Sequence, residues 1–249
     1  MPTAEPPGSV LLTGASQGIG RAILLSLARD KQPVVSLSRT RPELPDSTGS
    51  EFDYVAWKQL DLSNADEVAR CATSLRATVI RALVLCAVDY GANERHPVAA
   101  TSAQEWQRAI VTNCIGHSLL VSLLLPKLIA NPPGIIVNLS SDVAVLPAPG
   151  RAAYAASKAG LHAVLRTVAA EHSEEQLRVY QLIPTFQSIT DGIRRRRPAG
   201  FDFSGYADPA LIAEIVRKIV SPAGSEAAPG TYLIQRDGTL HSYPEITHL

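Results

Sequence analysis

Short runs of apolar residues alternate along this chain with longer stretches in which apolar residues recur at helical spacing. The short runs predict strands, because a strand covered on both faces is apolar at nearly every position. The predicted strands are residues 9–13, 33–38, 53–60, 80–87, 134–140, 177–183 and 231–235. The predicted helices are residues 21–30, 63–76, 101–130, 152–172 and 208–220. We expect Pro126 to break or kink the third helix, and Ser63, with Asp66 in the capping-box position, to cap the second.

This alternation predicts βαβ units and therefore an α/β fold of three layers. Right-handed crossovers would give a parallel, doubly wound sheet of about seven strands with helices on both faces. The length of 249 residues fits one domain, residues 1–249. Residues 1–8 are short and proline-rich and are predicted to be a flexible tail. Ligands of such sheets bind at the carboxyl ends of the strands, so the residues that follow strands are the candidates.

Composition narrows the classes of function. The formal net charge is zero, which argues against a nucleic-acid binder. No uninterrupted apolar run reaches the length of a membrane span, and the chain starts without a signal-like segment. The three cysteines and six histidines lack ligand spacing, so we expect no metal site. Sparse cysteines fit reduced thiols and a cytoplasmic protein.

Three glycines, Gly14, Gly18 and Gly20, follow the first strand and lead into the first helix. Glycine permits tight turns and close approach of a phosphate, and the helix start offers free N–H groups to a pyrophosphate. An ordinary turn could have the same glycines. The strand before and the helix after favour a nucleotide site.

The ends of the second and third strands bear on the cofactor. Arg39 and Arg41 follow the second strand without a carboxylate, which favours NADPH over NADH, because an Arg accommodates a 2′-phosphate. Both arginines could instead be solvated loop charges. After the third strand, Asp61 could bond near an adenine ring, or could equally be a turn residue before the next helix.

The stretch from Asn138 to Lys158 carries candidate acid–base chemistry. Ser140 and Ser141 end the fifth strand, and Tyr154 and Lys158 lie four residues apart on one helix face. A neighbouring ammonium would lower the pKa of a phenol from its ordinary value near 10. The Tyr–Lys spacing is common by chance, so it gains meaning only together with the nucleotide motif.

Taken together, these motifs resemble the classical short-chain dehydrogenase/reductase family, over about residues 9–235. The resemblance is carried by Thr13-Gly14-x-x-x-Gly18-Ile19-Gly20, Asp61-Leu62, Trp106 with Asn113, Asn138-Leu-Ser-Ser141, and Tyr154-x-x-x-Lys158. It implies a Rossmann fold and nicotinamide-dependent reduction of a ketone or aldehyde, or the reverse oxidation. Together with Arg39, this resemblance makes NADP(H) the expected cofactor, and NAD(H) is less favoured. A weaker likeness of the chain's end to sepiapterin reductase and fungal-type carbonyl reductases hints at a diketone or α-hydroxyketone.

The resemblance also implies roles for individual residues. Tyr154 would exchange a proton with the substrate, Ser141 would bond its oxygen, Lys158 would hold the ribose and lower the pKa of Tyr154, and Asn113 would position a water. The implied cofactor contacts are Gly14, Ser16, Gly18, Ile19, Gly20, Arg39, Asp61, Leu62, Ala87, Tyr154, Lys158, Pro184 and Thr185.

The chain departs from the family pattern at two places. The family's Asn-Asn-Ala-Gly after the fourth strand is here Cys86-Ala87-Val88-Asp89, and its Pro-Gly after the sixth strand is Pro184-Thr185. Ser188 or Thr190 could supply the hydroxyl expected near the nicotinamide. The losses of glycine motivate an alternative, a nucleotide-binding sensor or scaffold with little or no turnover.

Residues 185–207 are expected to form a substrate lid. Four arginines, residues 194–197, and the aromatic residues Phe201, Phe203 and Tyr206 could grip an acidic or ring-bearing small molecule. A solvated turn with packed aromatics is the favoured interpretation; docking of an acidic acyl carrier is a third hypothesis. The helices at 101–130 and 152–172 are apolar on more than one face, which indicates packing against a partner. The family resemblance implies that this partner is a second copy, in a homodimer or homotetramer.

Overall fold

The computed structural model describes residues 8–45, 50–91 and 95–244. The strands are β1 (Ser9–Thr13), β2 (Val34–Ser38), β3 (Val55–Gln59), β4 (Ile80–Leu85), β5 (Gly134–Leu139), β6 (Leu177–Pro184), β7 (Gln187–Ser188), β8 (Tyr206–Ala207), β9 (Gly230–Ile234) and β10 (Leu240–Ser242). The helices are α1 (Gly18–Arg29), α2 (Ala65–Ser74), α3 (Ala103–Ile110), α4 (His117–Ile129), α5 (Ala152–Ala170), α6 (Asp191–Arg195) and α7 (Pro209–Ile219). Of the predicted tail, residues 1–7 lie outside the described residues.

The main sheet has the strand order β10-β9-β6-β5-β4-β1-β2-β3. All described neighbours pair in parallel except β10, which is antiparallel to β9. The predicted parallel, doubly wound sheet is therefore confirmed, with eight strands instead of about seven. The short edge strand β10 was missed because its Leu-His-Ser sequence has no apolar run.

The core has two halves, one on each face of the sheet. Alternate residues of β1 separate them: Val10 and Leu12 face α1 and α7, whereas Leu11 faces α2, α4 and α5. Each half consists mainly of buried aliphatic side chains, so both faces of the sheet are covered. This arrangement leaves the carboxyl ends of the central strands as the place where a ligand can enter.

The cap of α2 differs from the prediction. Asn64, not Ser63, is the N-cap, and its side chain accepts bonds from the N–H groups of Asp66 and Glu67. Ser63 instead donates to Oδ1 of Asp61 through both its N–H and its hydroxyl. The prediction was wrong because Asn and Ser are both good N-caps, and sequence alone did not separate two adjacent ones.

The long helix is interrupted at a different place from the one predicted. Residues Val111–Gly116 form a π-helical turn between α3 and α4, whereas α4 continues through Pro126 to Ile129. Within the turn, Gly116 lies so close to the Leu62 carbonyl that a Cβ would be 2.1 Å from its oxygen. Such turns often occur at functional sites, and this one contains Asn113.

The helical stretch Ala103–Ile129 is long and apolar enough, by length and composition, to cross a membrane. This differs from the expectation that no segment would reach that length. In the fold its inner face is buried, and Leu120, Leu124 and Leu128 pack against the sheet. That is the arrangement of a core helix.

The segment between β6 and α7, residues 185–207, lies over the carboxyl edge of the sheet. Within it, β7 and β8 pair to form a separate two-stranded sheet, and α6 lies between them. Three rings, those of Phe201, Phe203 and Tyr206, pack edge to face with centroids 4.9 to 5.9 Å apart. We call this part the β6–α7 segment.

Candidate active site

A cleft of about 1190 Å³ opens at the carboxyl ends of the central strands, where the strand order reverses. Its floor is formed by the turns after β1, β4 and β5, and the β6–α7 segment forms its other wall. All the predicted catalytic and cofactor-binding residues line this cleft except Asn113 and Thr185. The fold thus brings together residues that are up to 170 positions apart in the sequence, from Gly14 to Pro184.

The glycine turn after β1 requires its glycines. Gly14 and Gly18 have φ values of +73° and +60°, which favour glycine. A Cβ on Gly20 would lie 2.2 Å from the Gly14 carbonyl oxygen, and a Cβ on Gly14 would lie 2.6 Å from Cα of Ala87. Gln17 precedes α1 without a side-chain cap. On the cleft side, the N–H groups of the first turn of α1 therefore have no capping side chain. Free N–H groups in this position can bind a pyrophosphate.

Thr13 ties this turn to the loop after β4. Its Oγ1 accepts bonds from the N–H groups of Cys86 (2.9 Å) and Ala87 (3.1 Å). Val88, which stands where the family has glycine, lines the cleft and packs against the cluster that contains Tyr154. The loop therefore remains fixed despite the altered sequence.

Asn113 is fully buried beneath the cleft. Its Oδ1 accepts a bond from the Asp89 N–H at 2.7 Å, and its Nδ2 donates to the Asp89 carbonyl at 2.7 Å and to Oγ of Ser157 at 3.0 Å. The side chain thus holds the loop after β4 against α5, and all its polar atoms have partners.

His117 is a residue of the site that sequence reasoning missed. It is buried, with Nε2 3.2 Å from Oγ1 of Thr13 and Nδ1 3.2 Å from the Asn113 carbonyl oxygen. Burial, followed by the nearby Lys158, lowers the pKa of this imidazole to about 3, so the ring is neutral at pH 7. Its spacing of four residues from Asn113 on a helical stretch was the available signal.

Lys158 is 3% exposed, and its Nζ donates to the Leu139 carbonyl oxygen at 2.9 Å. Burial lowers the pKa of this ammonium to about 8, with Cys86 acting in the opposite direction. Among the residues that the structure describes, none forms an ion pair with it. A cation held in this way at the cleft floor can bind hydroxyl or anionic oxygens.

Tyr154 is 8% exposed, and its ring lies 5.6 Å from that of Tyr90, centroid to centroid. Burial, and then Tyr90, raise the pKa of the Tyr154 phenol, whereas its hydrogen bond with Ser141 and the charge of Arg151 act in the opposite direction. In the protein alone, desolvation outweighs the nearby cation Arg151, so the pKa of this phenol lies above its ordinary value; the lowering of this pKa by Lys158 stays a prediction. Ser141 itself donates to Oδ1 of Asp142 at 2.8 Å.

The adenosine end of the cleft contains the residues expected there. Arg39 is exposed, lines the cleft, and follows β2 directly. Asp61 and Leu62 also line the cleft. Asp61 is a turn residue, because its Oδ1 accepts bonds from Ser63, and it also lines the cleft; its contact with an adenine ring stays a prediction.

The end near β6 differs from the prediction at one residue. Pro184 lines the cleft, but Thr185 does not, since its hydroxyl donates to the Ile234 carbonyl oxygen at 2.9 Å. Ser188 and Thr190 do line it. Oγ of Ser188 is buried and has no hydrogen-bond partner among the described residues, whereas Oγ1 of Thr190 caps α6 by accepting from Ile193. Ser188 is thus the hydroxyl best placed to receive a polar ligand.

Within residues 8–45, 50–91 and 95–244, no group of three or more His, Cys, Asp or Glu side chains is placed to hold a metal ion. The polar side chains that line the cleft include hydroxyls, two phenols, two amides, an ammonium, guanidinium groups and four carboxylates.

Comparison with known proteins agrees with this geometry. The profile described as short chain dehydrogenase matches residues 9–199. The 3-oxoacyl-[acyl-carrier-protein] reductase FabG of Staphylococcus aureus is 29% identical over 192 residues, 74% of this chain and 77% of that protein. The short-chain type dehydrogenase/reductase y4vI of Sinorhizobium fredii is 29% identical over 248 residues, 92% of this chain but only 43% of that protein's length. A solved structure described as a short chain dehydrogenase/reductase family protein has a TM-score of 0.79 at 26% identity, covering 94% of this chain and 97% of that one.

Proposed function

This chain belongs to the short-chain dehydrogenase/reductase family of NAD(P)-dependent oxidoreductases acting on CH–OH and C=O groups, and we propose that it reduces a ketone or aldehyde with NADPH. The reverse oxidation of an alcohol uses the same groups. The observation that supports this most is the meeting of Tyr154, Ser141 and Lys158 in the cleft that also contains the glycine turn. Function depends on such sites more than on the fold itself.

The proton chemistry is assigned to Tyr154. Because burial raises its pKa, the phenol is protonated at neutral pH and can donate to a carbonyl oxygen. Ser141, whose hydroxyl donates to Asp142 in the protein alone, would turn this single proton to that oxygen as negative charge develops on it. A bound reduced nicotinamide would supply the hydride.

The nucleotide would be held by the glycine turn and the cleft floor. Gly14, Ser16, Gly18, Ile19 and Gly20 would contact the pyrophosphate, with Lys158 at the ribose next to the nicotinamide. Asp61, Leu62 and Ala87 would surround the adenosine, and Pro184 and Ser188 the nicotinamide. We assign Asn113 a positioning role, since its amide is fully engaged with Asp89 and Ser157.

NADPH is proposed over NADH because of Arg39. Its side chain is exposed in the cleft at the end of β2, where it can approach a 2′-phosphate, and no carboxylate follows that strand before residue 43. Arg39→Asp should lower kcat/KM for NADPH by about tenfold or more while sparing NADH. Arg41→Asp is the matched control, since Arg41 does not line the cleft. Equal use of both nucleotides by the wild type would refute this preference.

The test of the main proposal is consumption of NADPH with a panel of ketones, diketones and aldehydes. Loss of absorbance in the reduced nicotinamide band is expected with the wild type and not with Tyr154→Phe. Nucleotide binding, followed by fluorescence, should be similar in both proteins, because the ring remains. Absence of turnover throughout the panel, with NADPH still bound, would instead favour the nucleotide-sensing alternative suggested by Val88 and Thr185.

Four further expectations remain part of this proposal. The β6–α7 segment would act as a substrate lid. The chain would form a single domain, and the protein would be cytoplasmic. Ile115 and Leu123, next to and within α4, are exposed apolar side chains, and the α4 and α5 surfaces would pair in a homodimer or homotetramer. Light scattering of the purified protein gives the oligomer mass, and a monomer at micromolar concentration would refute the pairing.

A further inference from the structure

The cleft carries much more positive charge than the chain as a whole. Among the described residues, eight basic and four acidic side chains line it, although the formal net charge of the chain is zero. The ion pair between Arg108 and Asp89, at 2.8 Å, cancels one charge of each sign. A cleft with this excess concentrates anions.

Part of the excess positive charge is explained by the phosphates of the nucleotide proposed above. Arg39 lies at the adenosine end, and Arg195 donates to Oε1 of Gln17 at the start of α1, which places it at the pyrophosphate end. These two guanidinium groups therefore lie where nucleotide phosphates would bind. Other arginines lie at the opposite end of the cleft, and the nucleotide does not account for them.

Two of these arginines flank the phenol rings. The guanidinium of Arg196 lies 5.2 Å from the centroid of the Tyr90 ring, and that ring packs on Tyr154. Arg151, three residues before Tyr154, is half-buried and lines the cleft. The charge of Arg151 acts to lower the pKa of the Tyr90 and Tyr154 phenols, against the larger effect of burial. Arg151 therefore lies close to the groups that would face a substrate.

Neither arginine is neutralised by the protein. Within the part of the chain that the structure describes, no carboxylate forms an ion pair with Arg151 or Arg196. Arg196 donates Nε to the Gly192 carbonyl oxygen, which fixes its stem and leaves its terminal nitrogens available. Arg196 is exposed, whereas Arg151 is half-buried. A half-buried guanidinium without an anion is unfavourable, so a ligand that supplies one beside Arg151 gains affinity.

A third arginine approaches the same mouth of the cleft. Gly150 has a φ of +74°, and a Cβ there would lie 2.6 Å from Cβ of Arg95. Glycine therefore lets the Arg95 stem pack against the loop that carries Arg151. The loop sequence thus brings the positive charge of Arg95 near that of Arg151.

We propose that the substrate is a carbonyl compound that also carries a carboxylate or phosphate a few bonds from its C=O group, and that Arg151 and Arg196 bind this anion. This inference rests on the proposed function. Guanidinium groups bind both anions through paired N–H bonds. In the reaction the carbonyl carbon would gain a hydride from NADPH and the oxygen a proton from Tyr154, giving the hydroxy compound and NADP⁺. The half-buried position of Arg151 beside Tyr154 favours a small molecule over the outer surface of a carrier protein.

The experiment compares matched substrates. Keto carboxylates are assayed against their neutral amides, and phosphorylated ketones against the unphosphorylated compounds, with NADPH saturating. In the wild type, kcat/KM for one class of anion should exceed that for its neutral partner by about tenfold or more. Arg151→Gln and Arg196→Gln should each raise KM for the anion by about tenfold, with little change for the neutral compound or for NADPH. Arg194→Gln is the matched control, since Arg194 belongs to the same run but does not line the cleft.

The outcomes separate this inference from the proposed function. Turnover of neutral ketones without any preference for anions, or equal loss for both substrates in Arg151→Gln, would overturn the inference and leave the reductase proposal standing. Activity confined to a carrier-bound ketone and unchanged in Arg151→Gln would also overturn it. If nothing is turned over, calorimetric binding of the anions to the NADP⁺ complex decides: tighter binding to the wild type than to Arg151→Gln supports the anion site, and equal binding refutes it.

Discussion

The two walls of the cleft are built in different ways. The strand-end wall, which contains Tyr154 and Lys158 and rests on Asn113 and His117, is almost entirely buried. Hydrogen bonds tie these side chains to main-chain groups of the loop after β4, of the π-helical turn and of β5. The β6–α7 segment opposite is held by ring-on-ring and guanidinium-on-ring contacts between exposed or half-exposed side chains. The first wall therefore fixes atoms closely, whereas the second can change shape or sequence at low cost in stability.

This contrast indicates a division of work. Proton transfer needs a donor held within hydrogen-bond distance of the reacting oxygen, which a buried wall provides. Selection among substrates needs only a surface of suitable charge and shape, which the β6–α7 segment and Arg151 provide. The effects of substitutions in the two walls should therefore differ in kind as well as in size.

The largest effect is expected for Lys158→Met on the strand-end wall. Removing the ammonium should lower kcat/KM by about 100-fold or more, because the ribose contact and the charge near Tyr154 are both lost. The thermal midpoint should stay the same or rise, since an apolar side chain of similar length avoids the cost of burying a charge.

Two measurements sharpen this prediction. Nucleotide affinity of the wild type should fall as the pH rises through about 8, where the Lys158 ammonium loses its proton, and the variant should lack this dependence. A variant that unfolds below the assay temperature would show that Lys158 contributes to folding, and wild-type activity in Lys158→Met would contradict its place in the site.

The next prediction compares the replacement of one glycine in each wall by alanine. Gly20→Ala places a Cβ 2.2 Å from the Gly14 carbonyl oxygen, so we expect a loss of about 2–3 kcal/mol in the free energy of unfolding together with weaker nucleotide binding. Gly205→Ala in the β6–α7 segment meets nothing within 4 Å and should change the free energy of unfolding by less than about 0.5 kcal/mol. Denaturant titration measures both, and equal effects would contradict the contrast between the walls.

The same contrast explains what could be predicted from sequence. The glycine turn, Tyr154 and Lys158 were predictable, because their chemistry requires particular residue types at fixed spacing. His117 was not, since its partners Thr13 and Asn113 meet only through the fold. Thr185 was assigned to the cofactor by analogy, but its hydroxyl bonds the end of β9, a strand about 50 residues away.

The local conformation of the less regular parts also could not be predicted from the sequence pattern. The strands β7 and β8 have two residues each, too few for periodicity to reveal. The π-helical turn arises because Gly116 packs against Leu62 and Asn113 bonds to Asp89, both of them tertiary contacts. Proline was the visible helix breaker, yet α4 accommodates Pro126.

A pH effect is expected on the strand-end wall, and over a single pH unit it is smaller than the loss in Gly20→Ala. The pKa of His117 is lowered to about 3 in the folded protein, so as the pH falls below 6.5 the unfolded chain binds a proton before the folded protein does. The free energy of unfolding should therefore decrease as the pH falls from about 6.5 towards 3, by up to about 1.4 kcal/mol per pH unit from this group. His117→Gln should show a shallower dependence in urea titrations at several pH values, and an unchanged slope would show that the imidazole is not neutral when buried.

The smallest effect is expected for Phe203→Ala in the β6–α7 segment. This ring packs on Phe201 and Tyr206 and lies 5.3 Å below the Arg194 guanidinium, but none of these groups belongs to the buried core. We expect a loss of about 1 kcal/mol or less in global stability, with KM raised a few-fold and kcat nearly unchanged. Hydrogen exchange should accelerate in residues 187–206 alone, because local opening there does not require the sheet to unfold. A fall in kcat as large as that of Lys158→Met would mean that this wall also positions the reacting groups, and the division between the two walls would then be wrong.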